Sequence, residues 1–374
     1  MTVEIGRGKS GRRAYTLDEI GIVPSRRTRD PEEVSTAWQI DAYRFEVPLV
    51  VCPMDSVVSP ATAAAIGHLG GLAVLDLEGL WTRYEDPEPV LAEIAELGDD
   101  AATSRLQQVY AEPIKEELIG RRIEEIRAAG VTTAARLSPQ RTVRYYKTVV
   151  DAGVDIFVIR GTTVSAEHVS GNAEPLNLKQ FIYELDVPVI VGGCATYTAA
   201  LHLMRTGAAG VLVGFGGGSG HTTAAVLGVA VPMATAIADV AAARREYLDE
   251  SGGRYVHVIA DGGMTRSGDI AKALAIGADA VMVGSPFARA EQAPGRGYHW
   301  GSEAHHADLP RGARVKVGTI GTLEQILHGP STVADGMLNL VGALRRTMAT
   351  SGYSDLKEFQ RVEVVVTPGA PARR

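Results

Sequence analysis

Eight short runs of strand-forming residues, each about one βα unit apart, constrain the fold of this chain more than any other feature. Several runs are continuously apolar instead of alternating, as expected for parallel strands buried on both faces. Stretches rich in Ala, Leu, Glu and Lys separate most of them. The runs cover residues 47–52, 71–76, 132–137, 155–160, 187–191, 210–214, 256–260 and 280–284. Eight such units predict an α/β fold of the closed (β/α)8 type, a TIM barrel.

The rest of the chain is arranged around this barrel. Residues 1–46 are predicted to form an N-terminal lead-in, and 47–374 a single barrel domain. After the second strand, 80–131 is acidic and amphipathic, which predicts a short helical excursion. The longest irregular stretch, 285–322, is predicted to be a loop on the active face, and 323–374 to form C-terminal helices and a strand. Active residues are expected in the loops at the C-terminal ends of the strands.

The charge and cysteine content argue against several partners. The formal net charge is −7, which disfavours nucleic acid or an anionic membrane as a main partner. Small phosphates remain compatible, because backbone N–H groups bind them without net positive charge. The longest weakly polar stretch, 224–238, contains Pro232, so no membrane-spanning segment is predicted. Two cysteines are too few for a disulfide framework, which predicts a reducing, cytoplasmic setting.

A glycine-rich run, GFGGGSGHTT at 214–223, follows the sixth strand. Consecutive glycines allow backbone groups to crowd a ligand at φ values that other residues avoid. Such a loop binds either a phosphate through its amides or a monovalent cation through its carbonyls, and the alternative is a flexible loop without a ligand. A dinucleotide-binding fingerprint is disfavoured, because Ser219 stands where the third glycine should be.

Two more glycine-containing segments end the seventh and eighth strands. Asp261, Gly262 and Gly263 end the seventh strand, and Gly284 and Ser285 end the eighth. The loops after these two strands commonly form a phosphate site in barrels of this type. Asp261 is then positioned to accept hydrogen bonds from a ribose diol, or else it stabilises a turn before two glycines.

Four further side chains stand at or near strand ends. Cys52 ends the first strand, and Met54 either packs on a flat ring or belongs to the core. Cys194, after the fifth strand, has no neighbouring His or Lys to activate it and is predicted to be a small buried thiol. Arg160 places a charge directly after the fourth strand, where it either contacts a phosphate or carboxylate or pairs with a nearby acid.

Three histidines and an acid cluster in the long loop at 285–322, namely His299, Glu303, His305 and His306. These residue types bind metals, but their spacing is irregular and the segment is polar. A plain, solvated surface loop is therefore the favoured prediction for all four.

The motifs together resemble the IMP dehydrogenase and GMP reductase family. The matching segments are YTLDEIGIVPS, VPLVVCPMDSVVSP, VPVIVGG, GVLVGFGGGSGHTT, VIADGGMTRSGDIAKALAIGADAVMVGS and EQAPG. They cover roughly 16–76 and 150–295. The nucleotide-sensing CBS pair, inserted after strand two in most IMP dehydrogenases, has no counterpart, since 80–131 takes its place. The chain thus resembles the short, CBS-less, IMP dehydrogenase-related branch, which implies a barrel in a homotetramer or octamer.

The resemblance implies a site for a purine mononucleotide (IMP, XMP or GMP) of guanine nucleotide metabolism. The substrate-binding positions it implies are Met54, Gly218, Ser219, Asp261, Gly262, Gly263, Gly284, Ser285 and Gly301. His221 and Thr223 stand at catalytic positions of the family. The carbonyls of Gly214, Gly216 and His221 match a potassium site, and Arg160 and Gly161 fall where NAD is expected.

The catalytic positions depart from the family. His221 stands where the family has a nucleophilic cysteine, and a thiolate suits attack on the purine far better than an imidazole. Arg160 replaces an aspartate, Cys194 replaces an asparagine, and 285–322 lacks the arginine and tyrosine of the family's mobile flap. Three functions follow as hypotheses: NAD-dependent oxidation of IMP to XMP, non-catalytic binding of a purine nucleotide, and a different reaction with His221 as general base.

Overall fold

Eight parallel strands form a closed barrel in the computed structural model, which describes residues 2–169, 175–301 and 313–367. Each strand hydrogen-bonds to the next along the chain, and β8 pairs with β1. The strands are β1 Leu49–Val51, β2 Leu72–Asp76, β3 Ala134–Leu137, β4 Ile156–Arg160, β5 Val189–Cys194, β6 Gly210–Val213, β7 His257–Asp261 and β8 Ala280–Val283. Every predicted run overlaps one strand, so the predicted (β/α)8 fold is confirmed.

Helices surround the barrel and bury their apolar sides against it. α1 shows why one begins where it does: Pro60 occupies its first turn, and the Ser59 side chain caps it by accepting from the Thr62 amide. The helices are α1 Pro60–His68, α2 Glu88–Glu96, α3 Asp99–Val109, α4 Glu116–Ala128, α5 Pro139–Asp151, α6 Leu178–Tyr183, α7 Tyr197–Arg205, α8 Thr223–Leu227, α9 Met233–Glu250, α10 Ser267–Ala275, α11 Ser285–Ala288, α12 Leu323–His328, α13 Leu340–Thr350 and α14 Leu356–Phe359. Short 3-10 turns cover Leu17–Glu19, Pro31–Glu33 and Leu80–Thr82.

The segment at 80–131 divides into two parts. Its last helix, α4, packs between α1 and α5 and therefore belongs to the ring around the barrel. The two helices before it, α2 and α3, pack on one another as an addition to that ring. No helix in the described ranges has the length and apolar character needed to cross a bilayer.

The N-terminal lead-in covers one end of the barrel. Its hairpin pairs Trp38–Ile40 with Tyr43–Phe45, and Trp38 Nε1 donates to the Val47 carbonyl at 2.9 Å. Ile40 is fully buried, and a Cβ added at Gly210, the first residue of β6, would lie 3.4 Å from its Cδ1. The hairpin therefore covers the N-terminal end of the strands and leaves their C-terminal end for a site.

Three further short antiparallel pairs lie outside the barrel. They join Thr2–Gly6 to Lys9–Arg12, Ile20–Ile22 to Val364–Val366, and Tyr298–His299 to Val315–Lys316. The second pair ties the lead-in to the C-terminal segment, which contains α12, α13, α14 and this last strand. The third pair holds part of the loop at 285–322 in a defined position.

Candidate functional site

The loops after β6, β7 and β8 converge on one point at the C-terminal end of the barrel. The hydroxyl oxygens of Ser219 and Ser285 lie 2.8 Å apart, which joins the sixth loop to the eighth. A Cβ added at Gly262 would lie 3.0 Å from the Gly217 nitrogen, which joins the seventh loop to the sixth. Gly262 also has a φ of +94°, so both its backbone and its close approach favour glycine.

Several backbone N–H groups near this point have no acceptor in the described part of the chain. The N–H groups of Gly217, Ser219, Gly263 and Ser285 donate to no other group in the described part of the chain. Backbone amides that converge in this way form a concave site for an anion such as a phosphate. The predicted meeting of the three segments is thus present in the structure.

Arg160 and Asp261 form a buried ion pair across the same opening. The Arg160 Nε lies 2.8 Å from Asp261 Oδ2, with both side chains less than a tenth exposed. Of the two roles predicted for Arg160, the structure shows pairing with an acid. The other carboxylate oxygen, Oδ1, receives no hydrogen bond from the described residues. The Arg160 carbonyl accepts from Arg136, which in turn pairs with Asp76 at 3.0 Å.

These residues line a small cavity, here called the barrel-mouth pocket, with a volume of about 70 Å³. Of the residues predicted for the site, its wall includes Met54, Arg160, Gly216, Gly218, Ser219, His221, Asp261, Gly262, Gly263, Gly284 and Ser285. Thr223 does not line it and is fully buried at the start of α8. Gly301 lies beside the pocket, since a Cβ added at Gly220 would be 3.4 Å from its nitrogen.

A second cavity of about 280 Å³, here called the outer cavity, adjoins the first. Its wall includes Thr16, Leu17 and Asp18 of the lead-in together with Phe215 and Met233. The two cavities share one set of lining residues, Gly216, Gly217, Gly262, Gly263 and Thr265. Mostly glycine backbone therefore separates them.

His299 contradicts the sequence prediction of a solvated surface residue. It is 1% exposed and lines the barrel-mouth pocket, where its Nδ1 lies 3.1 Å from the Ser56 hydroxyl. Burial, with a smaller effect of His221, lowers its pKa to about 3, so the imidazole is neutral at physiological pH. The prediction missed it because its partner Ser56 is remote in sequence. Glu303, His305 and His306 lie outside the described residues.

Both cysteines are buried, as predicted for Cys194. Burial raises the pKa of each thiol to about 12. The Cys52 sulfur lies 3.0 Å from Met54 Sδ, and the Cys194 thiol donates to the Leu212 carbonyl. Neither group is a thiolate near neutral pH, so neither supplies the nucleophile that position 221 lacks.

A buried hydrogen-bonded network that the sequence did not indicate lies next to the pocket. Tyr110, at the end of α3, donates to Asp55 Oδ2, and Trp300 Nε1 donates to the Tyr110 hydroxyl at 3.0 Å. Burial and the nearby charge of Asp76 raise the pKa of Asp55 to about 7. This network connects the added helices after β2 to the loop that holds His299.

Among the residues predicted for potassium and NAD, Gly214, Gly161 and Arg160 are engaged within the protein, whereas Gly216 and His221 line the barrel-mouth pocket. A Cβ added at Gly193 would lie 2.1 Å from the Gly214 carbonyl oxygen, which shows that this oxygen packs against β5. Gly214 also lines neither cavity. The amide of Gly161 donates to Gly192, and its carbonyl accepts from Gly193. Arg160 is engaged with Asp261.

Comparisons with known proteins agree with the fold and the motifs. A profile of the IMP dehydrogenase / GMP reductase domain matches residues 14–372. A protein of Mycolicibacterium smegmatis named an uncharacterized oxidoreductase is 56% identical over 372 residues, covering 97% of this chain and 99% of the relative. An inosine-5'-monophosphate dehydrogenase of Methanocaldococcus jannaschii is 25% identical and covers 96% and 93% of the two chains.

A solved structure supports the same assignment. The IMP dehydrogenase/GMP reductase-like protein of Corynebacterium glutamicum superimposes with a TM-score of 0.93 at 50% sequence identity, covering 98% of this chain and 97% of that one. The family profile and the solved structure each cover nearly the whole chain, and the barrel and its rim motifs agree with both. This chain therefore belongs to the IMP dehydrogenase / GMP reductase family.

Proposed function

We propose that the C-terminal face of the barrel binds a purine mononucleotide: IMP or a close relative such as XMP or GMP. One observation carries the proposal: three loops bring unpaired amides and two hydroxyls to one point beside a carboxylate. The amides and the hydroxyls of Ser219 and Ser285 bind the phosphate. Family membership supports the ligand class, since a relative with 25% identity is named an inosine-5'-monophosphate dehydrogenase.

In this proposal Asp261 binds the ribose. Its Oδ2 is held by Arg160, and its Oδ1 accepts from the ribose hydroxyls. The ion pair also offsets the carboxylate charge, which otherwise repels a phosphate bound nearby. Arg160 therefore acts as a positioning residue for Asp261 here, in place of the cofactor contact that the resemblance implied.

The size of the pocket sets a condition on binding. A ligand site for a molecule of this class needs roughly 300 Å³ or more, whereas the barrel-mouth pocket has about 70 Å³. The outer cavity adds about 280 Å³ behind Gly216 and Gly217. We infer that the glycine loop at 214–222 shifts when the nucleotide binds and joins the two cavities. Its glycines make such a shift inexpensive.

Binding without turnover is the function that the site supports best, because the thiol chemistry of the family has no thiolate here. His221 occupies the nucleophile position, and the pKa of both cysteines is raised to about 12. NAD-dependent oxidation of IMP to XMP is the second candidate. It is favoured by the 56% identical relative, which is named an oxidoreductase.

Calorimetry tests the binding proposal. The full-length protein is titrated with IMP, GMP and XMP in potassium buffer, and we expect at least one dissociation constant well below millimolar. Ser285→Ala should weaken binding about tenfold, since it removes one hydrogen bond to a charged phosphate. Ser331→Ala, which removes a hydroxyl from an exposed loop, is the matched control and should change nothing. No affinity below millimolar for any of the three nucleotides overturns the proposal.

The second candidate is tested by NADH formation from IMP. The parent chain and His221→Cys are assayed side by side, with and without potassium. Binding without turnover predicts no NADH from the parent and a gain of slow turnover in the variant. Steady NADH production by the parent would instead establish oxidation as the function and require a nucleophile other than Cys52 or Cys194.

The assembly follows from the family resemblance, which implies a homotetramer or octamer. Light scattering coupled to size-exclusion chromatography determines the mass directly. A single species of the 39.5 kDa chain would refute this expectation.

A further inference from the structure

His299 presents one ring nitrogen to the barrel-mouth pocket. Its ring lies between two rim loops, since a Cβ added at Gly220 would be 3.5 Å from Nε2 and one added at Gly284 would be 3.3 Å from it. The other nitrogen, Nδ1, is engaged with Ser56. Nε2 has no hydrogen-bond partner among the described residues, although the residue is 1% exposed. A polar atom that lines a ligand pocket and lacks a protein partner indicates a contact that a ligand completes.

The hydrogen bonds around Ser56 assign the tautomer of this imidazole. The Ser56 hydroxyl accepts from the Trp300 amide and donates to the Trp300 carbonyl, both at 3.2 Å. A hydroxyl has one proton to donate. We assign that proton to the Trp300 carbonyl, because this carbonyl accepts from no other group in the described part of the chain, and His299 Nδ1 is then the donor to Ser56. Nε2 then carries the lone pair and acts as an acceptor.

Uncharged sulfur groups form the pocket wall beside the His299 ring, whereas Arg160, Asp261 and His221 line other parts of the same pocket. A Cβ added at Gly284 would contact both Cys52 Sγ, at 2.6 Å, and the His299 ring. Met54 Sδ in turn lies 3.0 Å from Cys52 Sγ. Thioether, protonated thiol and neutral imidazole thus form a continuous part of the pocket wall. An ionised phosphate offers only acceptors and is repelled by a lone pair. An uncharged ring with an N–H donor fits this part of the wall.

We propose that His299 Nε2 accepts a hydrogen bond from the N1–H of a 6-oxopurine and thereby selects IMP, GMP or XMP over AMP. This inference rests on the proposed function and adds the basis of its specificity. A 6-oxopurine carries a proton on N1, whereas N1 of adenine carries a lone pair that would face the lone pair of Nε2. The cost of two opposed buried acceptors then discriminates between the nucleotides.

The test combines a change in the ligand with a change in the protein. Calorimetry on the full-length chain compares IMP, AMP and purine riboside 5'-monophosphate, which has no N1–H. IMP should bind at least about tenfold more tightly than either of the others. His299→Leu should remove most of this difference, because it takes away the hydrogen bond to IMP and also the opposed acceptor that disfavours AMP. His299→Gln should retain most of it, because an amide oxygen replaces Nε2. His202→Leu, on the exposed side of α7, is the matched control.

Each outcome decides between the two proposals. If IMP binds but the three nucleotides have equal affinities, or if His299→Leu keeps the preference, the role of His299 is refuted and nucleotide binding stands. If no nucleotide binds to the parent, the proposed function and the specificity both fail. Circular dichroism establishes that each variant is folded. If the Leu variant does not fold, the wild-type ligand ratios and the Gln variant decide the question.

Discussion

The Arg160 guanidinium lies 2.8 Å from the Asp261 carboxylate, and this contact joins the ends of β4 and β7 inside the barrel mouth. The two side chains are 8% and 6% exposed, so the pair is shielded from water. Charges removed from water are expensive, and here each compensates the other. The pair therefore both holds the rim together and leaves Asp261 Oδ1 available for a ligand.

Removing the cation should destabilise the chain strongly. We expect Arg160→Met to lower the free energy of unfolding by about 3–5 kcal/mol, because it leaves a buried carboxylate without its ion-pair partner. Arg160→Met combined with Asp261→Leu should recover part of that loss, since neither charge of this pair remains. Urea denaturation followed by circular dichroism measures both values.

An exposed ion pair provides the control for this prediction. Arg121 and Glu85 lie 2.7 Å apart with side chains 57% and 58% exposed. Arg121→Met should lower the free energy of unfolding by no more than about 1 kcal/mol, because solvent screens that pair. Equal losses for Arg160→Met and Arg121→Met would show that burial of the Arg160 pair has no energetic consequence.

The native thiols should resist alkylation. Burial raises the pKa of Cys52 and Cys194 to about 12, and iodoacetamide reacts with thiolates. At pH 8 the folded chain should remain unmodified by mass spectrometry, whereas the urea-unfolded chain should take up two labels. His221→Cys should take up one label while folded. Rapid labelling of the folded parent would contradict the burial of its two thiols and restore them as candidate nucleophiles.

The fold could be predicted because parallel barrel strands leave a direct mark on the sequence. A strand covered on both faces must be apolar at nearly every position, and runs such as 155–160 show this. The prediction was least accurate at the fifth strand, placed at 187–191 but found at Val189–Cys194. Gly192 and Gly193 extend that strand through backbone pairing, which side-chain patterns do not reveal.

The glycine-rich part of the site could be predicted for a related reason. Glycines at strand ends mark close approach of backbone, and the barrel topology places those ends at one face. His299 could not be predicted, because its burial depends on Ser56, 243 residues earlier in the chain. The hydrogen-bonded network of Asp55, Tyr110 and Trp300 could not be predicted for the same reason, since its three members are far apart in the sequence.

Asp55 should make stability depend on pH. Burial and the charge of Asp76 raise its pKa to about 7, from 3.8 for an unperturbed carboxyl. Between about pH 4 and 7 the folded chain holds a proton that the unfolded chain has lost, so this group's contribution to stability falls as pH rises and is constant above 7. Asp55→Asn does not titrate. Its free energy of unfolding relative to the parent should therefore rise across this window, by at most about 1.4 kcal/mol per pH unit.

Urea denaturation at several values between pH 4 and 8 measures this difference. The Asn side chain still accepts from Tyr110 and the Leu80 amide, so the comparison isolates the charge. Asp155→Asn serves as a control, because Asp155 lies at the other end of the barrel strands. Parallel pH curves for Asp55→Asn and the parent would show that Asp55 is ionised throughout.

Gly284, at the end of β8, should accept a side chain poorly. A Cβ there would lie 2.6 Å from Cys52 Sγ and 3.2 Å from His299 Cε1, closer than packed atoms approach. We expect Gly284→Ala to lower the free energy of unfolding by about 1–3 kcal/mol through overpacking. Adding Cys52→Ala removes the sulfur and should restore part of that loss, so the two changes should not be additive. Gly218→Ala is the matched control, since its Cβ would meet only His221 Cδ2, at 3.8 Å. Similar losses for the Gly284 and Gly218 variants, measured by urea denaturation, would contradict the tight contact between β8 and Cys52.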